Sequence, residues 1–123
     1  ITRLFLPSSA MDCCQSNVPQ EIFPHCTSAD FNDKVRKTIN FTIPVIDVEE
    51  LKDVSREVHI FDTREKEEYE VSHIKGAKYL GYNDFDITKL GNIRKDDKIV
   101  LYCSIGYRSE KIGEKLQGKG YSN

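Results

Sequence analysis

Ile99-Val-Leu-Tyr-Cys103-Ser-Ile-Gly-Tyr-Arg108-Ser109 is the stretch on which the fold turns. Its first four residues are apolar or aromatic without interruption, as in a strand buried on both faces. Beyond it, Ser109 to Gln117 carries Ile112 and Leu116 at i, i+4, a helical stripe that Gly118 and Gly120 bring to an end. A buried strand running through a short loop into a helix is the repeating unit of a parallel α/β sheet. The loop starts with a thiol. A helix N-terminus presents unpaired N–H groups and partial positive charge. Gly106 lets the loop curl so that successive N–H groups face the sulfur, and Arg108 adds a fixed charge. Each effect favours the thiolate of Cys103, the nucleophilic form. Ser104, Ile105, Gly106, Tyr107 and Arg108 are then expected to cradle an anionic group on that sulfur: a persulfide, a thiosulfate under attack or a phosphoryl group. The loop does the activating, so no histidine base is required. The plainer reading of a cysteine at a strand end is a buried, inert thiol; the loop, Gly106, Arg108 and the following helix together weigh against it.

Upstream the same alternation repeats. Ile43 to Ile46 is a short apolar run. Asp47 and Glu50 have the spacing of a capping box, and Val48, Leu51 and Val54 give the helix behind it an apolar stripe. Val58 to Phe61 reads as a strand ending at Asp62, and Thr63 to Tyr69, dense in Glu and Lys, as a short exposed helix. Ala77 to Leu80 reads as another strand, Phe85 to Leu90 as a short helix and Arg94 to Asp97 as a polar turn. Strands alternating with helices predict a small parallel sheet with right-handed crossovers. The site of such a sheet lies off the carboxyl ends of its strands, where Asp62 and Cys103 both fall.

Composition bounds the rest. A chain of 123 residues has room for one domain. Its formal charge of -2 argues against a nucleic-acid binder held by a basic surface, and no run approaches the roughly 18 apolar residues of a membrane span. All 4 prolines lie in the first 44 residues and all 7 glycines after residue 75. Residues 1–43, with no sustained period, read as an irregular N-terminal extension, and residues 44–123 as the α/β part. Ser8 and Ala10 suit the small positions of a signal-peptide cleavage site. With no basic region before it and a very short apolar run, an ordinary extension is the better reading, and a cytoplasmic location is slightly favoured. Cys13, Cys14 and Cys26 lack the spacing of a zinc site. A disulfide from Cys26 is open in an oxidising compartment, with unpaired thiols the default. Asn40-Phe41-Thr42 has the glycosylation pattern, which matters only in a secreted eukaryotic protein.

Two separated motifs resemble those of the rhodanese-like (sulfurtransferase) domain family. The family's front motif is matched by Asp62-Thr-Arg64-Glu65, then Glu68-Tyr69, then Ser72-His73-Ile74-Lys75-Gly76-Ala77, with Ser72 where glycine is usual. Its loop of a cysteine, four residues, an arginine and a serine is matched by Cys103 to Ser109. The resemblance implies that Cys103 takes up sulfane sulfur as a persulfide within the 104–108 loop, with Asp62 and Arg64 as supporting polar contacts and His73 structural. It implies a small-molecule or protein sulfur donor, a thiol or cyanide acceptor, no cofactor and no metal. The charges from Glu65 to Glu68 read as a solvated helix face. Related folds that hydrolyse phosphate enclose five residues between cysteine and arginine; four make a tighter ring, so phosphatase or arsenate reductase activity ranks below sulfur transfer. The remaining alternative is a catalytically weak binding or sulfur-relay module. Family members usually continue into one more strand and a closing helix, whereas this chain stops at Asn123. The expectation is therefore a sheet lacking its last strand, with a central strand short of a neighbour unless another segment or chain supplies one.

Overall fold

The computed structural model describes residues 1–4 and 29–122. Ser8, Ala10, Cys13, Cys14 and Cys26 lie outside the described residues. The elements run β1 (Thr2–Leu4), α1 (Ala29–Thr38), β2 (Val45–Ile46), α2 (Val48–Val54), β3 (His59–Asp62), α3 (Lys66–Val71), β4 (Lys78–Tyr79), a 3₁₀ turn (Ile87–Leu90), β5 (Ile99–Tyr102) and α4 (Tyr107–Gly118). The five strands form one parallel sheet in the order β2-β1-β5-β3-β4. This is the α/β architecture expected. The sequence reading missed α1, a 10-residue helix inside the stretch read as irregular, and a second feature that shapes the sheet itself.

That feature is β1. Residues 2–4, within the stretch read as irregular, pair with β2 on one side and β5 on the other. A strand of 3 residues is too short to show a period of two, and it carries an arginine, so no pattern marked it. β5 consequently has a neighbour on each side, and the expected gap beside it is filled by the chain's own first residues. Both edges, β2 and β4, are only 2 residues long, a length that offers little backbone to another chain.

Side chains alternate across this sheet and build two cores. Ile99 and Leu101 join Phe61, Leu80, Ile112 and Leu116 on the face covered by α4. Val100 and Tyr102 join Leu4, Leu51, Ile60 and Ala77 on the face covered by α2. All four β5 residues are buried, as the apolar run required. The Asp47 carboxylate accepts the Glu50 N–H at 2.8 Å and the Glu50 carboxylate accepts the Asp47 N–H at 3.1 Å, so α2 begins with its capping box. α3 starts later than the sequence suggests. The Asp62 carboxylate takes the Arg64 N–H at 2.8 Å and the Thr63 hydroxyl donates to the Tyr102 carbonyl at 2.9 Å, which holds residues 63–65 in a turn. α4 starts earlier, at Tyr107, because the Gly106 carbonyl already accepts the Glu110 N–H at 3.0 Å.

Candidate active site

Cys103 is the residue after β5, and the alternation of the strand turns it to the α4 face, one step beyond Leu101. The loop doubles back at once. Gly106 adopts φ +94°, a left-handed conformation that glycine enters freely. Its N–H therefore points back at the strand end and donates to Cys103 Sγ at 3.1 Å. The Ser109 hydroxyl lies 3.6 Å from the same sulfur and donates to the Gly106 carbonyl at 3.0 Å. A side chain at position 106 would be tightly placed: a Cβ there would stand 3.3 Å from Ile39 Cδ1 and 3.4 Å from Arg3 Nη1. Cys103 is 1% exposed, while the next two residues, Ser104 and Ile105, are exposed. The sulfur thus sits under the loop, against the first turn of a 12-residue helix.

Arg108 lies across the mouth of this loop, but its fork is occupied. Nη1 and Nη2 donate to the two Glu68 carboxylate oxygens at 2.6 Å and 3.1 Å, and Nη2 also donates to Ser104 Oγ at 2.8 Å. The Arg108 guanidinium holds the Glu68 carboxyl down to about 2, and the Glu65 N–H lends it a further hydrogen bond. Glu68 raises the Arg108 pKa in return, and the neighbouring Cys103 sulfur adds a smaller push in the same direction. Glu68 is thus a site residue rather than part of a solvated helix face. The signal for it was its place in the Glu68-Tyr69 pair. Tyr107 lies on the outer side of α4, with Lys111 Nζ 6.0 Å from its ring centre.

Asp62 and Arg64 form a separate clasp. The Arg64 guanidinium grips the buried Asp62 carboxylate with Nε at 3.0 Å and Nη2 at 2.7 Å, and Nη2 also donates to the Ser72 carbonyl at 2.6 Å. Tyr102 donates its hydroxyl to Asp62 at 2.8 Å and accepts the Ile74 N–H at 3.1 Å. Burial pushes the Tyr102 phenol up, and its bond to Asp62 reinforces the rise. Tyr102 belongs to the α2 face and Cys103 to the α4 face, so this network ties the ends of β3 and β5 to the 72–74 turn from behind. His73 stacks on Tyr69 with ring centres 3.8 Å apart and bonds through Nδ1 to the Tyr69 carbonyl at 2.8 Å.

Arg3 and Glu110 also reach the loop, and neither was singled out in the sequence. Arg3 Nη1 donates to the Gly106 carbonyl at 3.0 Å and lies 3.7 Å from Glu110 Oε1. Glu110, fully buried, accepts the N–H groups of Asn40 and Thr42, each at 2.9 Å. An apolar groove of 320 Å³ opens on the other face, walled by Leu4, Val48, Leu51, Ile60 and Ile74, and it holds no thiol or carboxylate among the described residues. No group of three His, Cys, Asp or Glu side chains among the described residues is placed to hold a metal ion. No helix among them is long and apolar enough to cross a membrane.

Residues 47–123 match the Rhodanese-like domain family. The chain is 30% identical over 83 residues to the "Putative sulfur carrier protein YrkF" of Bacillus subtilis, an alignment covering 65% of this chain and 44% of that protein. It is 34% identical over 73 residues to the tRNA sulfurtransferase of Desulfurococcus amylolyticus, covering 59% of this chain and 14% of that one. It is 32% identical over 72 residues to the uncharacterized protein YqhL of Bacillus subtilis, covering 58% and 56%. The matched region is thus about half or less of the length of these relatives. No solved structure gives a significant match.

Proposed function

The chain belongs to the rhodanese-like domain family, and from that membership we propose that it passes sulfane sulfur from a donor to a thiol acceptor through a persulfide on Cys103. The observation that carries the proposal is the Gly106 N–H aimed at Cys103 Sγ at 3.1 Å, with α4 beginning at the next residue. A donor N–H and a helix N-terminus both stabilise charge on sulfur.

The cycle has two displacements. The Cys103 thiolate attacks the outer sulfur of a persulfide R–S–SH; the S–S bond of the donor breaks, R–S⁻ leaves as the thiolate and the Cys103 sulfur carries the transferred –SH sulfur as Cys–S–SH. An acceptor thiolate then attacks the outer sulfur, the Cys103–sulfur bond breaks, and the Cys103 thiolate returns. Sulfur moves at the same oxidation level throughout, so no redox cofactor enters. With thiosulfate as donor the leaving group is sulfite, and with cyanide as acceptor the product is thiocyanate.

The Arg108–Glu68 pair favours persulfide donors over thiosulfate. A dianion arriving at the loop meets a guanidinium already neutralised by a carboxylate and must rely on the backbone. A thiol persulfide, carrying less charge, needs no such counterion. This also keeps a sulfur-relay role in view, in which the donor is a protein persulfide.

Intact mass after incubation with a low-molecular-weight persulfide or thiosulfate tests the proposal. Wild type is expected to gain the mass of one sulfur atom, more completely from the persulfide, and Cys103→Ser none. Sulfur loading of Cys103→Ser equal to wild type would overturn the assignment, and robust hydrolysis of a phosphate ester would move it to the phosphatase reading.

A further inference from the structure

Arg3 is 2% exposed and stands on β1, an interior strand of the sheet between β2 and β5. In register it lies opposite Leu101 of β5, so it shares the α4 face with Leu101 and with Cys103, the next position along. Its Nη1 donates to the Gly106 carbonyl, while Nε and Nη2 are buried with no hydrogen-bond partner among the described residues. Leaving donors of a buried cation unused is costly. An apolar residue would fill the same place in a sheet core more cheaply, so a role in the site is the better account of this arginine.

The contact it makes is specific. The Gly106 carbonyl accepts three donors: Arg3 Nη1, Ser109 Oγ and the Glu110 N–H, each at 3.0 Å. The N–H of the same residue is the donor to Cys103 Sγ. The carbonyl and the N–H flank one Cα, so fixing the first restrains the direction of the second. Arg3 approaches from the side where Gly106 has no Cβ.

We infer that Arg3 is a positioning residue for Cys103: it clamps the Gly106 carbonyl so that the Gly106 N–H stays on the sulfur, and it sets a buried positive charge behind the thiolate. The charged groups about the sulfur are Arg3 from β1, Arg108 from α4 with its partner Glu68 from α3, and Glu110 from α4 beside Arg3. Burial pulls the Arg3 guanidinium down, and Glu110 and then the Cys103 sulfur act against that pull. The inference rests on the reading of Cys103 as a reactive thiol, but its test needs no sulfur donor and stands apart from the test of sulfur transfer.

The probe is methyl methanethiosulfonate, a small neutral reagent that the thiolate attacks with loss of methanesulfinate. Its rate with Cys103 is followed from mildly acidic to strongly alkaline pH, with near-ultraviolet circular dichroism to verify folding. Arg3→Gln is expected to react about tenfold slower than wild type near neutrality, the effect of one pK unit. In strong alkali, where the thiol is ionised in both, it should catch up. Arg3→Lys, which keeps the charge and a donor, should react within about twofold of wild type by the same measure. Glu110→Gln removes the negative charge beside Arg3 and should react faster than wild type near neutrality. If Arg3→Gln does not fold, the other two variants decide. A folded Arg3→Gln with the wild-type rate at neutral pH, a deficit unchanged across the pH range, an Arg3→Lys no faster than Arg3→Gln, a slow Arg3→Lys where Arg3→Gln does not fold, or an unchanged or slower Glu110→Gln would overturn the inference.

Discussion

Arg108 and Glu68 meet fork to fork, with Nη1 on Oε2 at 2.6 Å and Nη2 on Oε1 at 3.1 Å. The pair joins the helix that follows the thiol to the helix that follows β3, and under the proposed sulfur transfer it is expected to bias the loop against dianionic donors. Replacing Glu68 by Gln frees the guanidinium. The expected outcome is a lower KM for thiosulfate with the persulfide reaction nearly unchanged, read in a steady-state assay with cyanide as acceptor. A KM for thiosulfate that rises or stays put would show that Arg108 is not the limiting charge.

The same pair sets an acid dependence. Glu68 sits at about 2 in the folded protein against an ordinary 4.5. A depressed carboxylate contributes stability above its unfolded value and loses it as pH falls through the folded one. The pair's contribution is therefore present above about pH 4.5 and gone near pH 2. With the Glu68 side chain 38% exposed, screening limits it to about 1 kcal/mol or less. Denaturant unfolding of wild type and Glu68→Gln should differ by that amount at neutral pH and converge in this acid window.

At the alkaline end, Tyr102 and Tyr79 are both raised above their ordinary value of 10.0, each chiefly by burial. The native state then holds protons that the unfolded chain releases, so stability should fall as pH rises beyond about 10. Tyr102→Phe removes one share of that slope. It also leaves Asp62 without one donor and the Ile74 N–H without its acceptor, at a cost of about 1–3 kcal/mol at neutral pH. Because Tyr102 lies on the face away from the sulfur, thiol reactivity of the folded variant should stay near wild type; a large loss would place the Asp62–Arg64 clasp inside the reaction itself.

Gly106→Ala tests the loop geometry. At φ +94° a side chain is strained, and its Cβ would press on Ile39 and Arg3. The variant is expected to lose about 1–2 kcal/mol from the left-handed backbone alone and to load sulfur markedly more slowly. Loading at the wild-type rate would remove the Gly106 N–H from the proposed mechanism.

Glu110 carries more of the fold than its surface-like residue type suggests. Glu110→Met leaves Arg3 without a counterion and the N–H groups of Asn40 and Thr42 without their acceptor. A loss of about 3–5 kcal/mol is expected, measured by thermal or denaturant unfolding and larger than that of Arg3→Met.

What the sequence made legible follows from where the physics is local. β5 and its helix stood out because four apolar residues in a row and an i, i+4 pair need only their own neighbours to be recognised. The Asp47–Glu50 cap was legible for the same reason. The loop was legible as a unit, because Cys103, Gly106 and Arg108 lie within six residues. Which donor reaches the sulfur was not, since a peptide plane is oriented by contacts from β1. The Arg108–Glu68 pair joins residues 40 apart, and the Arg3 contact joins residues 103 apart. Neither arises from local patterning. Glu68 was hidden among the like charges of α3, and Arg3 stood in a stretch with no period to mark it.

The place of β1 has a consequence for how the protein comes into being. Thr2 pairs with Val100 and Leu4 with Tyr102, so the strand that closes the middle of the sheet leaves the ribosome roughly a hundred residues before its main partner. At about 5–20 residues per second it waits several seconds or more for β5. Pairing so distant in sequence slows the search for the native topology. Through Arg3 the sulfur loop depends on this same pairing, so Cys103 is expected to acquire its native environment only when the two ends of the described chain meet.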